Sequence, residues 1–430
     1  VTFRKDLAMG AGIALLNTMA RLGKLFRDPF GELEYAQDRD RFAAEIRSEP
    51  IVHSKLFPVL SFTSRYDVAQ TLLRSPHTRS ALSKPEGLIQ EIILGPQRVE
   101  TGISPVLDSL VAKDGPDHTR LRRLIQPALT HRATMAWRGT AERVAVELLD
   151  GFPKHAPVDL VGQWAAPLPM AVICELLGIP VAHRGMFREW GETMAVGLDR
   201  PRSVANAKAM QQASLATSSY LTALIGERRR NPGEDVLSIL ASSEVDGEHL
   251  EDNDVVATAS FLLVAGFETT LSLLGAGTLL LLQHPDQLAA ALADPQGATP
   301  NLVDETLRMV SPVQFAFRRI IGDVELPDGS VCPAGQEVFI LLGGANRDPA
   351  VFPDPERFDI ARPEARKQLA FGYGAHMCLG APLARLEAEV AWRTLFERYP
   401  DPDRWRMAGP AVRSRSRVLN GLTSLPVRFG

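Results

Sequence analysis

Residues 255–282 are apolar throughout, apart from Glu268 and a few serines and threonines. Asp252 and Asp254 precede this run of 28 and His284-Pro285 closes it, the signals of a helix start and stop. At 1.5 Å per residue the helix would span roughly 40 Å. Two environments accept such an element: a bilayer, or the middle of a large helical protein. A carboxylate near the centre is costly in lipid. Gly266, Gly275 and Gly277 lie nearby, and no basic cluster marks a cytosolic end. A central helix buried on all sides is therefore expected.

The rest of the chain reads as its covering. Helical spacing recurs over residues 138–149, 168–177 and 207–229, with stops at proline and glycine. Short alternating segments appear near residues 51–62 and 338–342. Residues 323–338 read as hairpins punctuated by Pro327, Gly329, Pro333 and Gly335. The expected fold class is mainly α with a small β-sheet region (α+β), one large domain over residues 29–430. Residues 1–28 are an N-terminal extension, either a helix packed on the body or a flexible segment. Its apolar run 7–16 follows Arg4 and Lys5 like a signal peptide, but it is too short to span a bilayer and no small-residue cleavage site follows cleanly.

Charge and cysteine usage remove several function classes. With 47 basic and 51 acidic residues the net charge is −4, so no global field draws the protein to nucleic acid or anionic membrane. Cys174, Cys332 and Cys378 are odd in number and far apart, which excludes a disulfide framework and points to a reducing cytoplasm. No CxxC or CxxCH occurs, so covalent haem attachment is not indicated.

Cys378 is the unusual one. It lies in FGYGAHMCLG, just before an apolar periodicity through Leu379, Leu383, Leu386, Val390 and Leu395, with Pro382 near the first turn. A thiol at a helix N-terminus is biased toward thiolate by the amides and the dipole. Gly372, Gly374 and Gly380 give the loop turns and clearance that other residues deny. A nucleophile, a metal ligand and a buried structural thiol all fit these facts. Zinc would want three or four ligands, and His376 alone is too little. No local cysteine-protease signature is present.

FGYGAHMCLG matches every specified position of F-G-x-G-x-H-x-C-x-G, and the chain resembles the cytochrome P450 family in its bacterial, soluble form. The resemblance implies the single-domain cytochrome P450 fold and haem b (iron protoporphyrin IX), with Cys378 as thiolate ligand to the iron. A thiolate ligand favours oxygen activation over reversible binding. Phe371 would shield the sulfur, and Gly372 and Gly380 would let the loop pass close under the porphyrin. AGFETT places Ala265 and Gly266 over the distal haem face, with Gly266 leaving space for dioxygen. In the same motif Thr269 hydrogen-bonds the reacting oxygen and Glu268 helps relay protons. Thr269 alone would read as back-bonding to a helix carbonyl. In DGPDHTRLRR, His118 and Arg122 share a helix face at i,i+4 and are assigned to the haem propionates, together with Arg318 of FRRIIGDVEL and His376. Arg120 and Arg123 would then point elsewhere, toward a surface for an electron donor. In ETLR, Glu305 and Arg308 form the buried pair behind the haem, and Arg357 of FPDPERFD joins them. ANRDP is a structural landmark.

The implied activity is that of a cytoplasmic haem-thiolate monooxygenase that inserts one oxygen atom from O2 into an apolar organic substrate. No flavin or iron–sulfur motif is present, so electrons would come from a separate ferredoxin and ferredoxin reductase. A peroxide-driven enzyme and a non-catalytic haem sensor are the alternatives. The chain is expected to be a monomer with no transmembrane segment and no nucleic-acid partner. Pocket walls are expected from residues 80–110, 187–210 and 313–317 and from Leu422, including Ile89, Ile92, Ile93, Met194, Phe315 and Phe317.

Overall fold

The computed structural model describes residues 2–35, 39–80, 103–154, 156–195, 198–199, 201, 203–245 and 247–430. Ile89, Ile92 and Ile93 lie outside them. In chain order the helices that matter here are α1 (Thr2–Leu25), α2 (Pro29–Tyr35), α3 (Tyr66–Arg74), α4 (Gly115–Ile125), α5 (Arg138–Asp150), α6 (Pro167–Leu176), α7 (Arg184–Ala195), α8 (Val204–Arg230), α9 (Asp252–Gln283), α10 (Pro295–Val310) and α11 (Ala381–Arg398). The strands are β1 (Val52–His53), β2 (Leu60–Thr63), β3 (Thr78–Ser80), β4 (Phe315–Ile320) and β5 (Glu337–Leu341).

The apolar run is α9. Asp252 and Asp254 occupy its first turn, where negative charge complements the helix dipole. By length and composition α9 could cross a membrane, but it is packed by α6, α7, α8, α10 and α11. The crossing with α11 is close. A Cβ at Gly277 would stand 2.5 Å from the Trp392 ring, and Trp392 Nε1 donates to Thr278 Oγ1 at 3.1 Å. Glycine lets the helices approach, and the hydrogen bond then satisfies a buried indole.

The five-stranded sheet runs β1-β2-β5-β4-β3. β2 and β5 are parallel and the other pairs antiparallel. The expected in–out alternation of β2 and β5 is absent: every residue of both strands is buried. The reason is that each face meets its own core. Val338 and Ile340 pack with Leu72 and Leu73 of α3, while Phe339 and Leu341 pack with Phe62 and Phe42. Phe315 and Phe317 fall on this second face, with ring centroids 5.2 and 4.3 Å from that of Phe339. They therefore pack on the sheet's second core and not on the side where β4 carries Ala316 and Arg318, which corrects the expectation of two pocket walls.

Candidate active site

The cysteine loop is folded by its own backbone. Asn346 Oδ1 accepts from the Leu369 amide at 2.6 Å, and the Cys378 amide donates to the Phe371 carbonyl at 2.9 Å, closing the loop. Gly374 has φ +72°, and a Cβ there would stand 2.5 Å from the Leu73 carbonyl oxygen at the end of α3. Any other residue is thus excluded both by conformation and by space. Arg385 lies 4.7 Å over the Phe371 ring and reaches Asp304 at 2.5 Å, so the proximal ring is clamped.

The Cys378 sulfur accepts hydrogen bonds from the Gly380 and Ala381 amides, as a site preceding a helix should provide. Burial nevertheless outweighs them, and the thiol pKa is raised, opposite to the expectation from sequence. The side chain is solvent-accessible all the same. Accessible and desolvated together describe a thiol opening on an internal space. A cation there would displace the proton. Among the described residues no cluster of three His, Cys, Asp or Glu could hold a bare metal ion, so a metal on Cys378 needs its other ligands from a bound group. Cys174 and Cys332 are different: burial pushes their thiols up to about 12 and about 11, and both are buried in apolar cores.

Cations gather beside this loop. His118 is buried, its ring 4.1 Å from that of His376, and among the described residues its Nε2 has no hydrogen-bond partner. Burial first, then His376 and Arg122, depress its pKa to about 4. Arg122 has its pKa lowered by burial, and Arg318 is lowered to about 10, again by burial, with Asp114 opposing. Neither arginine has a carboxylate within ion-pair distance among the described residues. A desolvated imidazole and two such guanidinium groups form a site for anionic groups, as the two propionates of haem require. His376 is differently placed: its Nε2 lies 3.2 Å from Asp114 Oδ1, and the same carboxylate accepts from the Ser80 amide. Arg120 turns to Asp254 at 3.3 Å. Arg123 lines a cleft of about 640 Å³ with Gln126, Thr130 and Ala375.

Across the middle of α9, Phe261, Leu262, Ala265, Gly266, Glu268 and Thr269 are only half-buried, between buried runs on either side. Thr269 Oγ1 donates to the Ala265 carbonyl at 2.5 Å, which leaves the hydroxyl's lone pairs able to accept. Burial raises the Glu268 pKa to about 7; Glu192 raises it further and Arg188 lowers it, both facing it from α7. A Cβ at Gly266 would meet Ile173 of α6 at 3.7 Å, an ordinary contact. A side chain at Gly266 would thus project toward α6.

The pair Glu305 and Arg308 is fully buried, with Arg308 Nε and Nη2 each 2.8 Å from a Glu305 oxygen. Arg357 is corrected. Its side chain is exposed and lies 3.7 Å from Asp359, and only its carbonyl joins, accepting from Arg308 and Arg362. Arg362 supplies the third charge. Sequence reasoning missed it although it follows in the same segment, PERFDIAR. It also missed Glu387, which lies among Leu383, Leu386 and Val390 on the buried stripe of α11. Its carboxyl bonds the Thr270 hydroxyl, and burial lifts its pKa to about 8.

Residues 298–400 match the family model described as Cytochrome P450. The chain is 39% identical over 408 residues to "Cytochrome P450 107B1" of Saccharopolyspora erythraea, covering 92% of this chain and 96% of that one. It is 42% identical over 317 residues to the "6-deoxyerythronolide B hydroxylase" of the same organism, covering 74% and 76%. Among solved structures, the bacillaene polyketide synthase cytochrome P450 PksS of Bacillus subtilis 168 superimposes with TM-score 0.80 at 34% identity, covering 91% of this chain and 97% of that one.

Proposed function

The chain belongs to the cytochrome P450 family, and from that premise we propose that Cys378 ligates the iron of haem b while His118, Arg122 and Arg318 hold the propionates. The observation that carries the assignment is the desolvated, accessible Cys378 thiol with two amides on its sulfur, beside a buried imidazole nitrogen without a partner among the described residues. When bound, haem with a thiolate ligand supplies oxygen activation for monooxygenation. The protein's part is positional and protolytic. Thr269 presents an accepting hydroxyl on the half-buried strip of α9, and Glu268, with a pKa of about 7, can both give and take a proton near neutrality. This acid–alcohol pair favours use of O2 with reducing equivalents over a peroxide-driven reaction.

Electrons would come from a ferredoxin with its reductase in the cytoplasm, docked over the cleft that Arg123 lines. The substrate is proposed to be an apolar macrolactone or polyketide-type molecule, because one similar protein is named as a 6-deoxyerythronolide B hydroxylase and another for a polyketide synthase. Replacing Cys378 by His tests the core assignment. The purified variant should lose the absorption signature of the reduced thiolate–carbonyl complex, and its retention would sink the reading. Spin-state titration with a macrolactone, a steroid and a fatty acid tests the substrate class, with the macrolactone expected to bind tightest.

A further inference from the structure

α1 buries one apolar face and leaves several large apolar side chains exposed on the other. Ile13, Leu16, Ala20 and Gly23 are buried. Gly23 crosses Gly31 of α2 so closely that a Cβ on either would clash with the other's backbone. Leu15 and Leu22 face outward, followed by Leu25 and Phe26, which are 73% and 66% exposed. A cluster of exposed Leu and Phe side chains marks an interaction surface.

The end of the helix is built to hold this patch outward. Asp28 N bonds Gly23 O at 2.8 Å and Arg27 N bonds Lys24 O at 3.3 Å, the paired bonds of a left-handed helix cap. The left-handed residue is Arg27, at φ +53°. Glycine would adopt that conformation without cost, so a guanidinium is kept there against roughly 1–2 kcal/mol of strain. The buried Asp28 carboxylate accepts from the Lys55 amide at 2.7 Å and the Leu56 amide at 3.1 Å. This places the exposed Leu56 beside Gly23 and Lys55 next to it. Leu22, Leu25, Phe26 and Leu56 are thereby rimmed by Arg21, Lys24, Arg27 and Lys55, all on exposed positions. Among the described residues, only Lys24 of these four cations has a carboxylate partner, Glu32 at 2.7 Å.

We propose that this surface seats the protein on an anionic phospholipid bilayer, with Leu22, Leu25, Phe26 and Leu56 entering the headgroup–acyl boundary and Arg21, Arg27 and Lys55 meeting lipid phosphates. Apolar side chains within a basic rim are what an interfacial, non-spanning contact requires, and the local positive field acts although the whole chain is acidic. The inference is independent of the reaction and of the haem assignment.

The test uses full-length, haem-loaded protein and sedimentation with vesicles of phosphatidylcholine, alone or mixed with phosphatidylglycerol. Binding to the mixed vesicles is expected to exceed binding to phosphatidylcholine and to fall as salt rises. The Leu25→Ser/Phe26→Ser variant, altered only at exposed positions, should partition at least about tenfold less while keeping its haem spectrum. Equal sedimentation of variant and parent, or none by the parent, overturns the proposal. So does a parent dimer that the variant abolishes without any lipid effect, which would assign the patch to a second copy of the chain.

Discussion

Arg362 Nε lies 3.2 Å from Glu305 Oε1, opposite the two bonds from Arg308, and both arginines also donate to the Arg357 carbonyl. One carboxylate thus ties α10 to the irregular segment that leads into the cysteine loop. Replacing Arg362 by Ala should lower unfolding free energy by about 3 kcal/mol, because a buried charge loses a partner. Arg357→Ala should stay within about 0.5 kcal/mol of the parent, since its side chain is exposed. Urea denaturation of the two variants decides it, and comparable losses in both would count against the network drawn here.

Gly374→Ala should be destabilising by at least about 2 kcal/mol and should weaken haem retention, since a positive φ and a carbonyl at 2.5 Å oppose the methyl group together. Gly139 in α5 has nothing within 4 Å of its Cβ position, so Gly139→Ala should instead gain roughly 0.5–1 kcal/mol. Chemical denaturation compares the two; similar signs would contradict the close approach of the loop to α3.

Glu268 titrates at about 7. Below that pH it carries the proton that the proposed relay would donate; above it the donor form is lost. Product formed per NAD(P)H consumed should therefore fall as pH rises through about 7, and Glu268→Gln should show a low, flat profile. A variant profile that still titrates near 7 would assign the proton to another group.

Thr269→Ala should retain the carbonyl-complex spectrum and lose coupling, with reducing equivalents appearing as hydrogen peroxide. Peroxide is measured against product at equal NAD(P)H consumption. Unchanged coupling would remove the hydroxyl from the proton path.

Glu387 has its pKa lifted to about 8 in the folded protein, chiefly by burial. At low pH both folded and unfolded forms are protonated and the group contributes nothing. As pH rises past the ordinary carboxylate range, the unfolded chain ionises first and the fold is progressively disfavoured, until the folded group also ionises near 8. The penalty is on the order of 5 kcal/mol at its full extent. Glu387→Gln should be closer to wild type at pH 5 and relatively more stable at pH 8. An equal difference at both pH values would mean the carboxyl is not the titrating group.

Much of the site was legible because its signals are local. The cysteine loop announces itself through glycines that must turn within ten residues, and His118 and Arg122 share a helix face by spacing alone. Arg362 escaped because Arg357 and Arg362 are equivalent in one dimension; only the path of the chain decides which side chain reaches Glu305. Glu387 was readable as a carboxylate on an apolar stripe, but its Thr270 partner lies on a helix more than a hundred residues earlier. The aromatic face of β4 was misjudged for the same reason, since either face of a strand can meet a core.

The sequence alone determined the central helix, with its caps and uninterrupted apolar run, and the cysteine loop that precedes α11. Periodicity, capping and glycine conformation are properties of neighbours along the chain, and they act before any distant contact forms. The folded structure decided the balance of forces at the site: a Cys378 thiol raised by burial against the amides that lower it, a His118 nitrogen without a partner among the described residues, and a cluster of α1 leucines left exposed. Desolvation and charge pairing depend on which distant segments come to surround a group, and that is fixed only when the chain has packed.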